Sequence, residues 1–244
     1  MPFNADAFSQ ARSNSFKTMA AELLRVLSPS GNHYDLAVIA HATPDAEPSY
    51  PACYIAETVS GAPLAFAVSE QGTVPAFTAL RLVADIVQPG AFRRVLVLIL
   101  DQRTLLYRSE SCLHDCGVAL VFAETGDLGT MSVQHWANVR VPDVGSLLGA
   151  EFGRLRAAGS ALTLFAGAGL DISRDLLGLP ADADVVRAPA GFPSTGVWLS
   201  LTAKLRQWKG TGRQAVLADY DHELRDLCLC TLDVAAAAPR QATR

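Results

Sequence analysis

Short, uninterrupted apolar runs recur along this chain, and they constrain its fold more than any other feature. Residues 35–43 (DLAVIAHAT), 63–69 (PLAFAVS), 94–100 (RVLVLIL), 117–123 (GVALVFA) and 161–165 (ALTLF) are each closed off by turn or polar residues. Such runs fall well short of the ~18 apolar residues of a membrane helix. Lacking polar alternation, they read as strands covered on both faces, the pattern of a largely parallel sheet between helices.

Helical patterns fill the gaps. From Phe8 to Leu27 apolar residues recur at helical spacing (Phe8, Ala11, Phe16, Met19, Ala20, Leu23, Leu24, Leu27) until Pro29-Ser30-Gly31 stops them. Residues 52–59 read as a short helix, and 73–87 as a helix apolar nearly all round, hence buried on most sides. Residues 144–157, 171–177 and 194–208 complete the helices, with Trp198, Leu201, Leu205 and Trp208 as a core stripe. Residues 131–141 (MSVQHWANVRV) alternate and read as a strand closing the first half. Residues 180–193 read as loop, and 214–219 and 224–233 as two closing strands. The expected architecture is α/β, with two similar halves spanning 1–142 and 143–244 in one structural unit.

Composition narrows the function classes. Half of the 244 residues are hydrophobic and 18% are charged, which excludes a disordered chain. Lys+Arg number 20 against 24 Asp+Glu, so no basic field exists to hold nucleic acid. The N-terminal sequence has no apolar leader, so a cytoplasmic protein is expected. The five cysteines, Cys53, Cys112, Cys116, Cys228 and Cys230, show no C-x-x-C spacing and read as structural thiols. No metal and no cofactor is expected. Gly167-Ala168-Gly169 lacks the third glycine and acidic partner of a dinucleotide site.

Three passages carry a resemblance. Residues 64–102 are similar to the strand, nucleophile turn, buried helix and following strand of the thiolase-fold condensing enzymes, β-ketoacyl-carrier-protein synthase III above all. HDCGVALVFAE (114–124) resembles that family's Gly-Asp-Gly-Ala-Gly-Ala strand, with Asp115, Gly117 and Ala119 in register. The passage from residue 188 to 233 resembles its closing helix and last two strands. The resemblance implies a thiolase-like fold of two αβ halves in an α-β-α-β-α layering, shortened by the family's opening strand and acyl-tunnel insertions. It also places Gly72 where the family carries its nucleophilic Cys, Ala166 at its His and Phe192, after Gly191, at its catalytic Asn. In the His-Gln-Ala-Asn phrase of the family, Gly169 takes the Asn place.

The function this implies is a catalytically degenerate subunit that pairs with an active ketosynthase in acyl-thioester condensation of fatty-acid or polyketide type. Chain-length factors and the partner subunit of alkylquinolone synthases are subunits of that kind. An acyl-carrier protein is a further expected partner. Two alternatives stand beside it. One is a small acyltransferase or thioesterase with relocated groups, drawn from Ser69, His41 or His135; Ser69, His41 and Asp101 make a triad on paper, although no G-x-S-x-G elbow exists. The other is a module that binds acyl groups or carrier protein. His135-Trp136-Ala137-Asn138 imitates the family's His-x-Ala-Asn string but lies in an alternating strand.

Overall fold

The computed structural model describes residues 14–27, 33–47, 50–61, 63–86, 92–105, 112–123, 126, 128–159 and 161–236. The chain divides into two compact units: Met1–Glu124 with Pro189–Gly196, and Thr125–Ala188 with Val197–Arg244.

The first unit contains α1 (Phe16–Leu27), β1 (Leu36–His41), α2 (Pro51–Thr58), β2 (Leu64–Val68), α3 (Pro75–Ile86), β3 (Arg94–Asp101) and β4 (Cys116–Ala123). Its sheet runs β2-β1-β3-β4, with the first three strands parallel and β4 antiparallel to β3. Every residue of β1 is buried, as is β3 after Arg94, in keeping with their unbroken apolar sequences. Ser15 starts α1, its hydroxyl accepting from the Thr18 N–H at 3.2 Å. Phe16, Ala20 and Leu24, four residues apart, then bury one stripe against Ala37, Ile39, Leu96 and Leu98. The expected start of this helix at Phe8 and the end of α3 at Val87 lie outside the described residues. α3 opens with Pro75 in its first turn, where proline lacks nothing that the helix needs.

The second unit contains β5 (Gly129–Trp136), α4 (Val141–Ala157), β6 (Leu162–Ala166), α5 (Ile172–Asp175), β7 (Asp184–Arg187), α6 (Gly196–Trp208, in this unit from Val197), β8 (Gln214–Asp221) and β9 (Asp226–Val234). Its sheet runs β5-β9-β8-β6-β7. β6 is parallel to β7 and β8; β9 is antiparallel to both β8 and β5. α4 lays Val144, Leu148, Phe152 and Leu155 on Leu164, Val216, Leu227 and Leu229. Trp198 and Leu201 are fully buried, Trp208 nearly so, and Trp208 meets the Phe165 ring at 5.7 Å, so the tryptophan stripe is core.

Two strand readings need correction. Residues 131–141 do not close the first sheet: β5 starts at Gly129, ends at Trp136 and pairs with β9 from Gly129↔Val234 to Trp136↔Leu227. Alternation marks a strand but says nothing about its partner. The supposed loop 180–193 contains β7, whose four residues, DVVR, are too few and too polar at their ends to stand out.

Candidate functional site

In the first unit, the carboxyl ends of the parallel strands bring the candidate residues to one edge, where open α/β sheets place their sites. His41 ends β1, Asp101 ends β3, and Ser69 follows β2; the pairing Ala40↔Val68 sets Ser69 beside His41 in register. The turn from Ser69 to Thr73 then leads into α3. Its backbone is bent into the left-handed region at Glu70 (φ 59°) and Gly72 (φ 55°). For Glu70 that conformation costs on the order of 1–2 kcal/mol. The Gln71 carbonyl accepts from the Val74 N–H at 3.1 Å and closes the turn. A sharp strand-to-helix turn is thus present, and Gly72 supplies no side chain at it.

The paper triad does not assemble. The Asp101 carboxylate is buried and accepts from the Ser194 N–H at 3.0 Å, the Thr195 N–H at 2.8 Å and the Thr195 hydroxyl at 2.7 Å. Burial pushes its pKa above the ordinary value, against those hydrogen bonds, which pull it down. Asp101 therefore anchors the 189–196 segment to β3 and leaves nothing for an imidazole. His41 points Nδ1 at the Thr43 carbonyl, 2.6 Å away, so that nitrogen carries the hydrogen. Its ring lies 4.7 Å from the Phe16 ring. Burial lowers the His41 pKa, outweighing the Thr43 bond and the Asp45 and Glu70 charges, and the ring is neutral at pH 7.

Phe192 stacks its ring on His114 at 4.9 Å and donates no hydrogen bond from its side chain. Burial pushes the Cys112 thiol up to about 12, and the Asp101 charge adds to it; Cys116 is raised for the same first reason. Neither thiol is a thiolate at neutral pH, so neither is poised as a nucleophile.

The second unit holds the other candidates. Ala166, the last residue of β6, is fully buried. His135 pairs with Asp226 at 3.0 Å across β5 and β9, and both side chains are mostly covered. After β6 the Gly167-Ala168-Gly169 turn packs directly on β8. A methyl group on Gly167 would overlap the Asp219 carboxyl, and one on Gly169 would overlap the Tyr220 carbonyl. These glycines serve close backbone approach, and no phosphate is needed to explain them.

Asp219 itself was not among the sequence candidates. It is buried, and one oxygen accepts from the N–H groups of Gly169 and Tyr220, both at 2.9 Å. Burial raises its pKa to about 7, offset in part by those bonds and reinforced by Asp221. Asp219 is thus a carboxyl that exchanges a proton near neutrality. Beside it a surface depression of about 580 Å³ is lined by residues 168–174, Arg187 and His222, whose Nε2 lies 2.8 Å from the Gly169 carbonyl. The signal for Asp219 in the sequence was a lone carboxylate inside an apolar closing strand (AVLADYD).

Among the described residues no group of three or more His, Cys, Asp or Glu side chains is placed to hold a metal ion, and no helix is long and apolar enough to cross a membrane.

No family model and no curated protein matches the chain. Solved structures do. A tetronic acid condensing enzyme is similar over 86% of this chain and 82% of its own, at 20% identity and a TM-score of 0.67. The 3-oxoacyl-(acyl-carrier-protein) synthase III of Aquifex aeolicus is similar over 89% and 82%, at 16% identity and 0.63. The priming β-ketosynthase of the R1128 polyketide pathway is similar over 92% and 83%, at 18% identity and 0.61. The chain has the mixed α/β, thiolase-like fold of these condensing enzymes.

Proposed function

We propose that this chain, built on the condensing-enzyme fold, is a non-catalytic ketosynthase-like subunit that pairs with an active ketosynthase. The complex would join acyl groups by thioester condensation in fatty-acid or polyketide-type secondary metabolism, with an acyl-carrier protein as a further partner. The observation that carries this reading is the turn from Ser69 to Thr73. Its backbone is sharply bent, with Glu70 and Gly72 at positive φ, and the resemblance sets Gly72, which has no side chain, at the family's nucleophile position. The resemblance also sets Ala166 and Phe192 at the places of the family's His and Asn, which supports the same reading: neither side chain can transfer a proton or donate to an oxyanion.

The exposed edge at β2 supports pairing. β2 reads LAFAV, and Leu64 is 57% exposed. β7, the edge strand at the corresponding place in the second sheet, is guarded by Asp184 and Arg187. Charged ends protect an edge; an all-apolar edge invites a partner.

Co-expression with a ketosynthase from the same source that keeps its cysteine tests the reading. The expected result is a stable complex whose condensing activity requires this chain. A chain that never co-purifies with such a partner overturns it. So does acyl-thioester turnover by the chain alone that Ser69→Ala, His41→Ala or His135→Ala abolishes, which would install the relocated-site reading instead.

A further inference from the structure

The Gly167-Ala168-Gly169 turn lies directly on the Asp219 carboxyl of β8: a Cβ on Gly167 would come within 2.4 Å of both carboxyl oxygens. The posts of this turn are fixed and its middle is not. Ala166 and Leu170 are buried in the core, whereas Ala168, between the two glycines, is exposed. Glycine on either side of Ala168 leaves the backbone free to swing between the posts. Two side chains grip the far end: the Gly169 N–H donates to Asp219 at 2.9 Å, and His222 Nε2 donates to the Gly169 carbonyl at 2.8 Å. The outer side of the turn walls the depression of about 580 Å³ that it shares with Arg174 and Arg187.

Among the described residues no cation balances Asp219. The charge that bears on it is the like one of Asp221, itself held by the Glu223 and Leu224 N–H groups. On β9 the buried Cys228 stands opposite Asp219. On α5 the Arg174 guanidinium is spent on Asp175 at 2.7 Å, and Asp171 ahead of it accepts from the Ser173 N–H and hydroxyl. The Tyr220 hydroxyl is taken by the Val139 carbonyl. His222 donates from Nε2 whether neutral or protonated, so its titration leaves the bond to Gly169 in place. A sealed carboxylate with a like charge beside it gains by meeting water.

We propose that this turn is a pH-operated flap: it stays seated on the protonated Asp219 carboxyl and lifts at Ala168 and Gly169 to let water reach the carboxylate. Under the seated turn the carboxyl keeps its proton up to about pH 7; under the lifted turn it gives the proton to solvent at its ordinary value of 3.8. The ratio of lifted to seated turn therefore rises about tenfold per pH unit between those limits and is constant above them. Lifting opens the wall of the depression toward Asp219, so the depression has one shape in acid and another at neutrality. The device lies wholly within the second unit and does not depend on the partnership with a ketosynthase.

Amide hydrogen exchange of the full chain, followed by NMR between pH 5 and pH 8, tests it. With intrinsic rates divided out, protection of the Gly169 N–H should fall on the order of a hundredfold from pH 5 to pH 7 and level off above. Urea below the unfolding transition should leave that protection unchanged, because a flap exposes little surface, while it lowers the protection of Leu217 inside β8. Asp219→Asn should make Gly169 indifferent to pH. His222→Gln, which keeps a donor, should leave the fall in place. If Asp219→Asn does not fold, the carboxyl carbon-13 shift of Asp219 in the unaltered chain takes over, and its midpoint must coincide with the levelling of Gly169 protection. Protection of Gly169 that is flat with pH overturns the proposal. So does a fall that tracks Leu217 in urea, since Gly169 then opens only with the whole chain, or a fall that His222→Gln abolishes.

Discussion

β4 and β9 occupy the same place in two sheets of the same order, and both are apolar, yet they meet water differently. β9 is buried from Leu227 to Leu232, whereas only Val118 of β4 is buried. Counting along the ladders from Arg94 and Gln214, Val121 corresponds to Thr231; Val121 is 39% exposed and Thr231 is 4%. Thr231, the more polar of the two, is the one inside, held by a 2.6 Å bond to the Ser132 hydroxyl of β5. Burial in this fold is decided by which neighbour a strand acquires, more than by the strand's own residues.

The sharpest way to break that comparison is to place the same charge at both positions. Thr231→Lys should destabilise the chain by more than about 4 kcal/mol, since an unpaired ammonium must enter a covered site. Val121→Lys should change stability by no more than about 1 kcal/mol, because that edge is open. Denaturant melts of the two variants, at concentrations where the chain is monomeric, read the difference directly.

Asp219 comes next. Its carboxyl binds a proton in the folded chain up to about pH 7, and in the unfolded chain only to its ordinary value of 3.8. The stability it contributes is full below about pH 4 and is lost as pH rises through 7. That loss is on the order of 4 kcal/mol at most. Asp219→Asn, which keeps an acceptor for the Gly169 and Tyr220 N–H groups, should flatten the melting profile between those limits and make the chain more stable than the wild type at pH 8. Thermal melts across the range check it.

Asp101, the buried carboxylate that ends β3, accepts from three donors. Asp101→Ala removes the acceptor for two N–H groups and a hydroxyl, and should cost about 2–3 kcal/mol in chemical denaturation. The smallest effect belongs to Tyr220, whose hydroxyl donates to the Val139 carbonyl at 2.8 Å. Tyr220→Phe should cost about 1 kcal/mol in the same measurement.

Much of this architecture was legible in the apolar runs. β1, β2, β3, β4 and β6 lie where unbroken hydrophobic stretches put them, because a strand covered on both faces writes its burial into every residue. β7 escaped because four residues with charged ends leave no such record. β5 was readable as a strand but not as a member of the second sheet, since pairing across 98 residues (Ser132 with Thr231, for instance) has no local signature. At the candidate site, the sequence shows a glycine at position 72. It could not show that Asp101 is committed to Thr195, or that Asp219 is sealed under two glycines. Both depend on which backbone N–H groups happen to face a carboxylate, and that is a property of the folded loops.

The commitment of Asp101 has a consequence for how the molecule comes into being. Its donors lie 93 and 94 positions downstream, so the first unit is not continuous in the chain. On the ribosome, a nascent chain that has delivered β1 through β4 still carries a carboxylate with no donors, in a site that will exclude water. That half therefore cannot reach its final stability until Thr195 has been made and has left the exit tunnel. Contacts this distant slow folding, and a half-finished sheet with two apolar edges is prone to aggregate in the interval. Synthesis of this protein should be unusually sensitive to truncation just short of residue 195, even though most of the first unit has been complete for seventy residues by then.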